Sequence, residues 1–344
     1  MIISMAQEKI IIGTRGSQLA QIQANQVRDL ILAYNADLSA DAVEIKCITT
    51  QGDLTQKGNI SLADIGGKGL FVKEIELALA AGEIDLAVHS LKDVPTLIAE
   101  DFSLPCVLKR DDPREAFISD IATSIQDLPE GAVVGTSSLR RKSQAIKLRP
   151  DLAFEPFRGN VDTRLEKVRK GVVDATFLAL CGLQRMGLEG KAAAIVDIDD
   201  MIPTPGQGAV VIETRKGDQA VIDRIAPLNH IQTELLVNQE RVMLATLDGS
   251  CRTPIGGHCE YDAKNGELVM KGFLGVLEKE MTFKHYDVMR LSDSIANSCK
   301  WEVFNLGYRV GRHLHSLAGR DGVVPYFDEI RERVTLCGSL SRAH

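Results

Sequence analysis

Three groups of residues in this chain have types and spacings that could do chemistry. The first surrounds a thiol. Cys251 stands in the run Leu247-Asp248-Gly249-Ser250-Cys251-Arg252-Thr253-Pro254. Asp-Gly marks a turn, and Pro254 cannot sit inside a helix or a central strand. Most free cysteines fill core space, but a thiol in a polar turn can be reached. The second group is cationic: Arg15, Arg140, Arg141, Arg158, Arg164 and Arg185 all fall at or near places where a strand gives way to a helix. Arginine's planar fork pairs two-pronged with carboxylate or phosphate. Any one of the six is best read as a surface salt bridge, but six in similar places on a chain of net charge -7 read as a cleft for a polyanion. The third group is His89-Ser90-Leu91-Lys92-Asp93-Val94-Pro95, which puts a hydroxyl, an ammonium and a carboxylate just past an apolar strand. In open α/β sheets ligands bind beyond the carboxyl ends of strands. A turn or cap carboxylate is the commoner role for a residue like Asp93.

The elements that must position these groups follow from periodicity. A β-branched run at 9–12 reads as a strand, Gly13-Thr14-Arg15-Gly16-Ser17 as a loop, and 18–34 as a helix with Leu19, Ile22, Ala24, Val27, Leu30 and Ile31 at helical spacing. A second strand at 43–49 completes a βαβ pattern, the unit of a parallel sheet. A polar stretch at 51–61 leads into Ile65-Gly66-Gly67-Lys68-Gly69-Leu70-Phe71, a glycine-rich loop without P-loop spacing. A helix over 72–81 and a strand over 84–88 follow. Asp111-Asp112-Pro113 reads as an inter-domain crossing. Beyond it the pattern repeats: a strand at 132–134, Gly135-Thr136-Ser137-Ser138 echoing the earlier Gly-Thr-x-x-Ser loop, and a helix opening at Leu139.

That helix carries Arg140, Arg141 and Lys142 in its first turn, the end of the dipole where cations are disfavoured. Two arginines there beside free backbone N–H groups predict an anion held between them. Strands near 153–157 and 172–180 flank Arg158-Gly159-Asn160-Val161-Asp162-Thr163-Arg164, and Pro203-Thr204-Pro205-Gly206-Gln207-Gly208 reads as a second crossing. The strand at 209–212 is expected to return to the first unit. The region from His230 onward reads as separate, with a helix at 233–247, strands near 255–261, 268–276 and 281–286, and a long helix over 292–317. His313 and His315 lie two apart on that helix, a poor metal pair, and no metal site is expected.

Composition bounds these readings. A chain of 344 residues is too long for one ordinary core. Its acidic balance argues against nucleic acid as partner. Seven scattered cysteines, none in Cys-x-x-Cys, suggest neither a disulfide framework nor zinc, and a reducing compartment fits best. No apolar run approaches the roughly 20 residues needed to span a bilayer. A monomer in the cytoplasm, without a membrane, is expected, or in a plastid or other organelle if a transit peptide was removed.

The loops at 13–17, 65–71, 87–95, 135–141 and 158–165, and the Cys251 turn, occur in an order that resembles the porphobilinogen deaminase (hydroxymethylbilane synthase) family over about 9–275. The resemblance implies an α/β fold of two lobes like those of periplasmic binding proteins, with a smaller α+β C-terminal domain carrying the cofactor cysteine. The implied division is 9–110 plus 208–227, then 111–207, then 228–344. It implies stepwise head-to-tail condensation of four porphobilinogens with loss of ammonia, then hydrolytic release of linear hydroxymethylbilane. It also implies a dipyrromethane cofactor in thioether linkage to Cys251, with Asp93 as the catalytic carboxylate. Arg15, Ser17, Ser90, Lys92, Thr136, Ser138, Arg140, Arg141, Arg158, Asn160, Arg164, Arg185 and Gln207 match positions implied to hold cofactor or substrate. Lys68 and Phe71 match the mobile loop over the cleft. The many acetates and propionates of a growing pyrrole chain suit an arginine-lined cleft, and a carboxylate suits the positive charge that develops as ammonia leaves. Two residues depart from the family pattern: Ser250 stands where glycine is common, and Gln21 where an apolar residue is common, so local packing there is expected to differ.

Two other readings predict part of the same pattern. A non-catalytic two-lobed protein for an organic anion would need the arginines but neither Asp93 nor Cys251. A cysteine-nucleophile transferase or hydrolase would need a base beside Cys251, with His258 or His230 as candidates.

Overall fold

The computed structural model describes residues 9–51, 72–247, 253–276, 281–291 and 305–318. The described strands, in chain order, are β1 (Ile10–Arg15), β2 (Val43–Ile48), β3 (Leu86–Ser90), β4 (Phe102–Val107), β5 (Glu115–Ser119), β6 (Val133–Gly135), β7 (Ala153–Glu155), β8 (Ala175–Ala179), β9 (Ala194–Val196), β10 (Val210–Arg215), β11 (Ile255–Asp262), β12 (Glu267–Val276) and β13 (Met281–Arg290). They form two five-stranded sheets, of order β2-β1-β3-β10-β4 and β7-β6-β8-β5-β9, and one three-stranded sheet, β11-β12-β13.

The two larger sheets are the same arrangement twice. In each, the first strand is flanked by two parallel neighbours, β2 and β3 around β1 and β7 and β8 around β6. In each, an antiparallel strand, β10 or β5, fills the fourth place. That strand is lent across the molecule. The chain leaves the first sheet after β4 to start the second with β5, and it leaves the second after β9 to return as β10. The strand expected at 209–212 therefore does rejoin the first unit. Chain order runs outward in opposite directions from β1 and from β6, with parallel neighbours on both sides, so each sheet has a switch point beside its first strand, where loops part and a ligand can enter. This is the doubled α/β architecture expected, with a smaller C-terminal unit of sheet and helices.

The helix Gln18–Tyr34 packs Ala24, Val27 and Ile31 onto Ile10, Ile12, Leu86, Val88 and Ile212 of the first sheet. The second sheet holds Phe117, Val134, Ala175 and Phe177 in one core and Ala116, Ile118 and Leu178 in another, one on each face. The helix Ile231–Thr246 is buried nearly all round, because it lies where all three units meet. Its Glu240 accepts both guanidinium arms of Arg110 at 2.6 and 3.1 Å, Gly206 N at 2.7 Å and Cys259 N at 2.8 Å. With Asn305–Leu317 it covers one face of the third sheet through Met243, Leu268, Met270, Val310 and Leu314. Of the helix expected at 292–317, residues 292–304 lie outside the described residues.

Strands β4, β5 and β9 were not legible in the sequence. Pro105 interrupts β4, while β9 has only three residues, too few for a period to show. The two crossings run side by side: Asp111 N donates to Gly208 O at 3.2 Å. Gly208 has φ +92°, and a Cβ there would meet Asp111 O at 2.5 Å, so only glycine fits. Gln21, one of the two departures, is exposed and donates to Gly16 O at 2.9 Å, so it leaves the core untouched.

Candidate active site

Strand ends and helix starts deliver the side chains. Arg15 ends β1, and Ser17 N-caps the helix Gln18–Tyr34 by accepting from Ala20 N. Ser90 ends β3, and the 3-10 turn Leu91–Asp93 follows at once. Because β1 and β3 are paired neighbours, their loops share one side of the switch point. One pocket there is lined by Arg15, Ser17, Gln23, His89, Ser90 and Asp93, among others. The sequence-predicted Arg15, Ser17, Ser90 and Asp93 thus come together. Lys92 points to the crossing instead, donating to Gln207 Oε1 at 3.2 Å.

The second sheet supplies a cationic wall. Ser138 N-caps the helix Leu139–Leu148, and Thr136 Oγ1 accepts from Ser138 N at 3.1 Å. Arg140 and Arg141 are buried, and an anion does sit between them, but it is the protein's own Glu115. Arg140 Nη2 lies 2.5 Å and Arg141 Nη2 2.7 Å from its two oxygens, and Gln207 Nε2 adds a third donor at 3.2 Å. Burial alone would raise the Glu115 carboxyl; the Arg141 and Arg140 charges, with Lys92, outweigh it and hold it at about 2.

One carboxylate does not satisfy this wall. Arg141 Nε is buried without a hydrogen-bond partner among the described residues. Arg164 donates to Gly159 O at 2.9 Å, yet burial and the like charges of Arg141 and Arg158 pull its guanidinium down to about 10. Cations crowded together out of water attract anions. Asn160 has a local job, accepting from Thr163 N at 2.9 Å to cap the helix Val161–Arg169. Arg185 pairs with Asp111 and donates to Gly208 O at 2.8 Å, which places it on the crossings.

Cys251 and Ser250, and Lys68 and Phe71, lie outside the described residues. The chain on either side of 248–252 is described. Leu247 closes the helix Ile231–Thr246, and Pro254 packs beside Gly275. A Cβ at Gly275 would lie 3.1 Å from both Pro254 and Ser143 Oγ, so the chain leaving this segment abuts the helix that bears Arg140 and Arg141. The histidines offered as bases for a cysteine hydrolase sit in other surroundings. His230 Nδ1 accepts from Thr233 N at 3.2 Å as an N-cap, and His258 Nδ1 lies 3.6 Å from Glu240 in the buried seam. Burial pushes the Cys106 thiol up to about 12, and burial with the Glu240 charge raises Cys259 well above its usual range. Neither is a nucleophile. Among the described residues no group of three or more His, Cys, Asp or Glu could hold a metal, and no helix is long and apolar enough to cross a membrane.

Two site residues escaped the sequence reading. Gln23 is buried and exchanges hydrogen bonds with Ser90 Oγ at 2.9 and 3.2 Å. Its signal was a polar residue on the buried face of an amphipathic helix. Glu115 was hidden because nothing local distinguishes it; only the fold brings it to Arg140 and Arg141.

Residues 10–223 match the family model described as porphobilinogen deaminase, dipyromethane cofactor binding domain, and residues 235–299 match porphobilinogen deaminase, C-terminal domain. The porphobilinogen deaminase of Nitrobacter hamburgensis is 46% identical over 90% of this chain and 93% of its own length. The chloroplastic porphobilinogen deaminase of Pisum sativum is 50% identical over 77% of this chain and 72% of its own. Among solved structures, substrate-binding domain 2 of Lactococcus lactis GlnP superposes with a TM-score of 0.40 at 11% identity, covering 64% of this chain and 87% of that one. The chain belongs to the porphobilinogen deaminase family.

Proposed function

We propose that this chain is a transferase that joins four porphobilinogens head to tail, releases ammonia at each step, and frees linear hydroxymethylbilane by hydrolysis in tetrapyrrole synthesis. The observation that carries the reading is the pairing of two unlike surfaces. A pocket at the β1–β3 switch point presents Asp93, and Lys92 beside it reaches through Gln207 to Glu115, the carboxylate held by the buried, under-compensated arginines of the second lobe.

Dipyrromethane suits these residues. Its acetate and propionate groups are the acceptors that Arg141 Nε lacks and that the Arg141, Arg158 and Arg164 charges favour. Bound through a thioether at Cys251, it would supply the primer whose free pyrrole end receives each new unit. Arg15, Ser17 and Ser90 line the substrate side with Asp93. Arg140, Arg141, Arg158 and Arg164 form the carboxylate-binding side, with Thr136, Ser138 and Asn160 shaping the helix starts beside them. Lys92, Gln207 and Arg185 tie that side to the crossings, and Lys68 and Phe71, outside the described residues, are assigned to substrate binding on the family resemblance alone. As ammonia departs, Asp93 carboxylate stabilises the positive charge left on the substrate and takes up a proton from the pyrrole carbon that has reacted.

The shared strands β5 and β10 support a division into 9–110 plus 208–227, 111–207, and 228–344. We place the protein in the cytoplasm as a monomer, with a plastid as the other setting because the Pisum sativum relative is chloroplastic. The test is Asp93→Asn, purified with its cofactor mass verified. Ammonia release and bilane formation should fall by about 10²- to 10⁴-fold with the fold intact; near-parental rates would remove Asp93 from the chemistry.

A further inference from the structure

Two buried polar anchors hold the chain on either side of Asp93. Before it, His89 on β3 places Nε2 2.9 Å from Glu213 Oε2 on β10. The antiparallel register sets Val211 opposite His89 and Glu213 opposite Ala87, so His89 and Glu213 project from one face of the sheet. After it, Arg241 of the helix Ile231–Thr246 donates through Nη2 to the carbonyls of Pro95 at 3.1 Å and Thr96 at 2.8 Å. Between these anchors run Ser90, the turn Leu91–Asp93 and Val94.

These buried charges are costly where they stand. Glu213 is fully buried, and its Oε1 has no hydrogen-bond partner among the described residues. Burial pulls Arg241 down to about 10 against the opposing Glu213 charge. Burial, with the same Glu213 charge, pushes Glu76 of the neighbouring helix Lys73–Ala80 up to about 7, His89 opposing. Apolar clusters lie close by, Ile75, Leu79 and Ala87 in one and Leu91, Val94, Val211 and Val237 in another. Apolar residues of matching shape in place of a buried ion pair are often neutral or stabilising. Stability alone therefore gives no reason for these charges. Their geometry does: each contacts either the Asp93 segment or another charge that does.

We propose that Glu213, with His89 and Arg241, positions the catalytic turn, clamping the chain on both sides of Asp93 and fastening it to the helix that leads into the Cys251 segment. The clamp rests on the reading of Asp93 given above. It makes Glu213 and Arg241 positioning residues, since neither lines the pocket.

The test compares cofactor-loaded Glu213→Gln, Arg241→Met, the double variant, Arg241→Lys and Asp93→Asn. Each single neutralisation removes one anchor, and weakens the field that opposes burial of the other group, so it should lower the melting temperature. The double variant leaves neither charge buried against the other's absence, so its loss in melting temperature should be smaller than the sum of the two single losses. Turnover should show no such relief. The carbonyls of Pro95 and Thr96 have lost their donor, so kcat should stay roughly 10- to 100-fold down with KM little changed. Arg241→Lys, which keeps a charged donor, should restore most of kcat. Parental kcat in the double variant, or kcat that tracks melting temperature across the set, would overturn the clamp. If a single variant does not fold, the double variant and Arg241→Lys decide the matter. Parental turnover in Asp93→Asn would instead overturn the catalytic reading of Asp93, and the clamp with it.

Discussion

Replacing Glu115 by Gln should destabilise the second lobe more than any surface change could. Glu115 is fully buried between two arginines that are themselves buried, Arg140 at 4% and Arg141 at 8% exposure. Its carboxyl is held at about 2, where the ordinary value is 4.5. At about 1.4 kcal/mol for each pH unit, that preference for the ionised form is on the order of 3 kcal/mol at neutral pH. Removing the charge also leaves Arg140 and Arg141 repelling each other away from water, and breaking a buried pair in this way typically costs about 3–5 kcal/mol. The two routes agree, so Glu115→Gln should lower the unfolding free energy by roughly 3–5 kcal/mol at pH 7. The pH dependence carries a sign. A carboxyl depressed in the folded state contributes its stability above its unfolded value and loses it as pH falls through the folded one. The gap between parent and variant should therefore be full above about pH 4.5 and narrow towards pH 2. Urea unfolding followed by tryptophan-independent far-UV circular dichroism, at pH 7 and at several lower values, gives both quantities. A loss below about 1 kcal/mol, or a gap that widens on acidification, would refute the reasoning.

Gln23→Leu should keep the helix packed but strip Ser90 of its partner, raising KM for porphobilinogen several-fold in steady-state kinetics with the melting temperature little changed; an unchanged KM would detach Gln23 from the site. Gly208→Ala forces a side chain into Asp111 O at a positive φ, so it should cost about 1–3 kcal/mol in unfolding experiments and disturb the crossings. Thiol titration of the native protein should leave Cys106 and Cys259 unreacted, because burial holds both in the protonated form. Their rapid modification before unfolding would contradict the packing of β4 and β11.

Much of the architecture was legible because its signals are local. The helix Gln18–Tyr34 shows its buried stripe at helical spacing, and similar Gly-Thr loops, 13–17 and 135–138, each run to a serine on either side of a crossing, which announces two similar units. Strand β5 was missed for a structural reason: it is supplied to the second sheet by a chain coming from the first, so no βαβ pattern frames it. The arginines illustrate the same boundary between local and tertiary information. Their place at the first turn of the helix Leu139–Leu148 correctly required an anion nearby. That the anion is Glu115, and that Arg141 Nε still lacks an acceptor, depends on a contact between residues 26 positions apart. Ser17, Ser138 and Asn160 were expected at the site on resemblance; the fold shows each capping a helix, so alanine there would perturb a helix start in any case.

The attachment of dipyrromethane to Cys251 is tested most directly by the intact mass of the purified protein beside a Cys251→Ala variant. The parent should exceed its sequence mass by two linked porphobilinogen units, and the variant should not. A parent of unmodified mass that gains nothing on incubation with porphobilinogen, or a Cys251→Ala variant that carries the same excess, would contradict it.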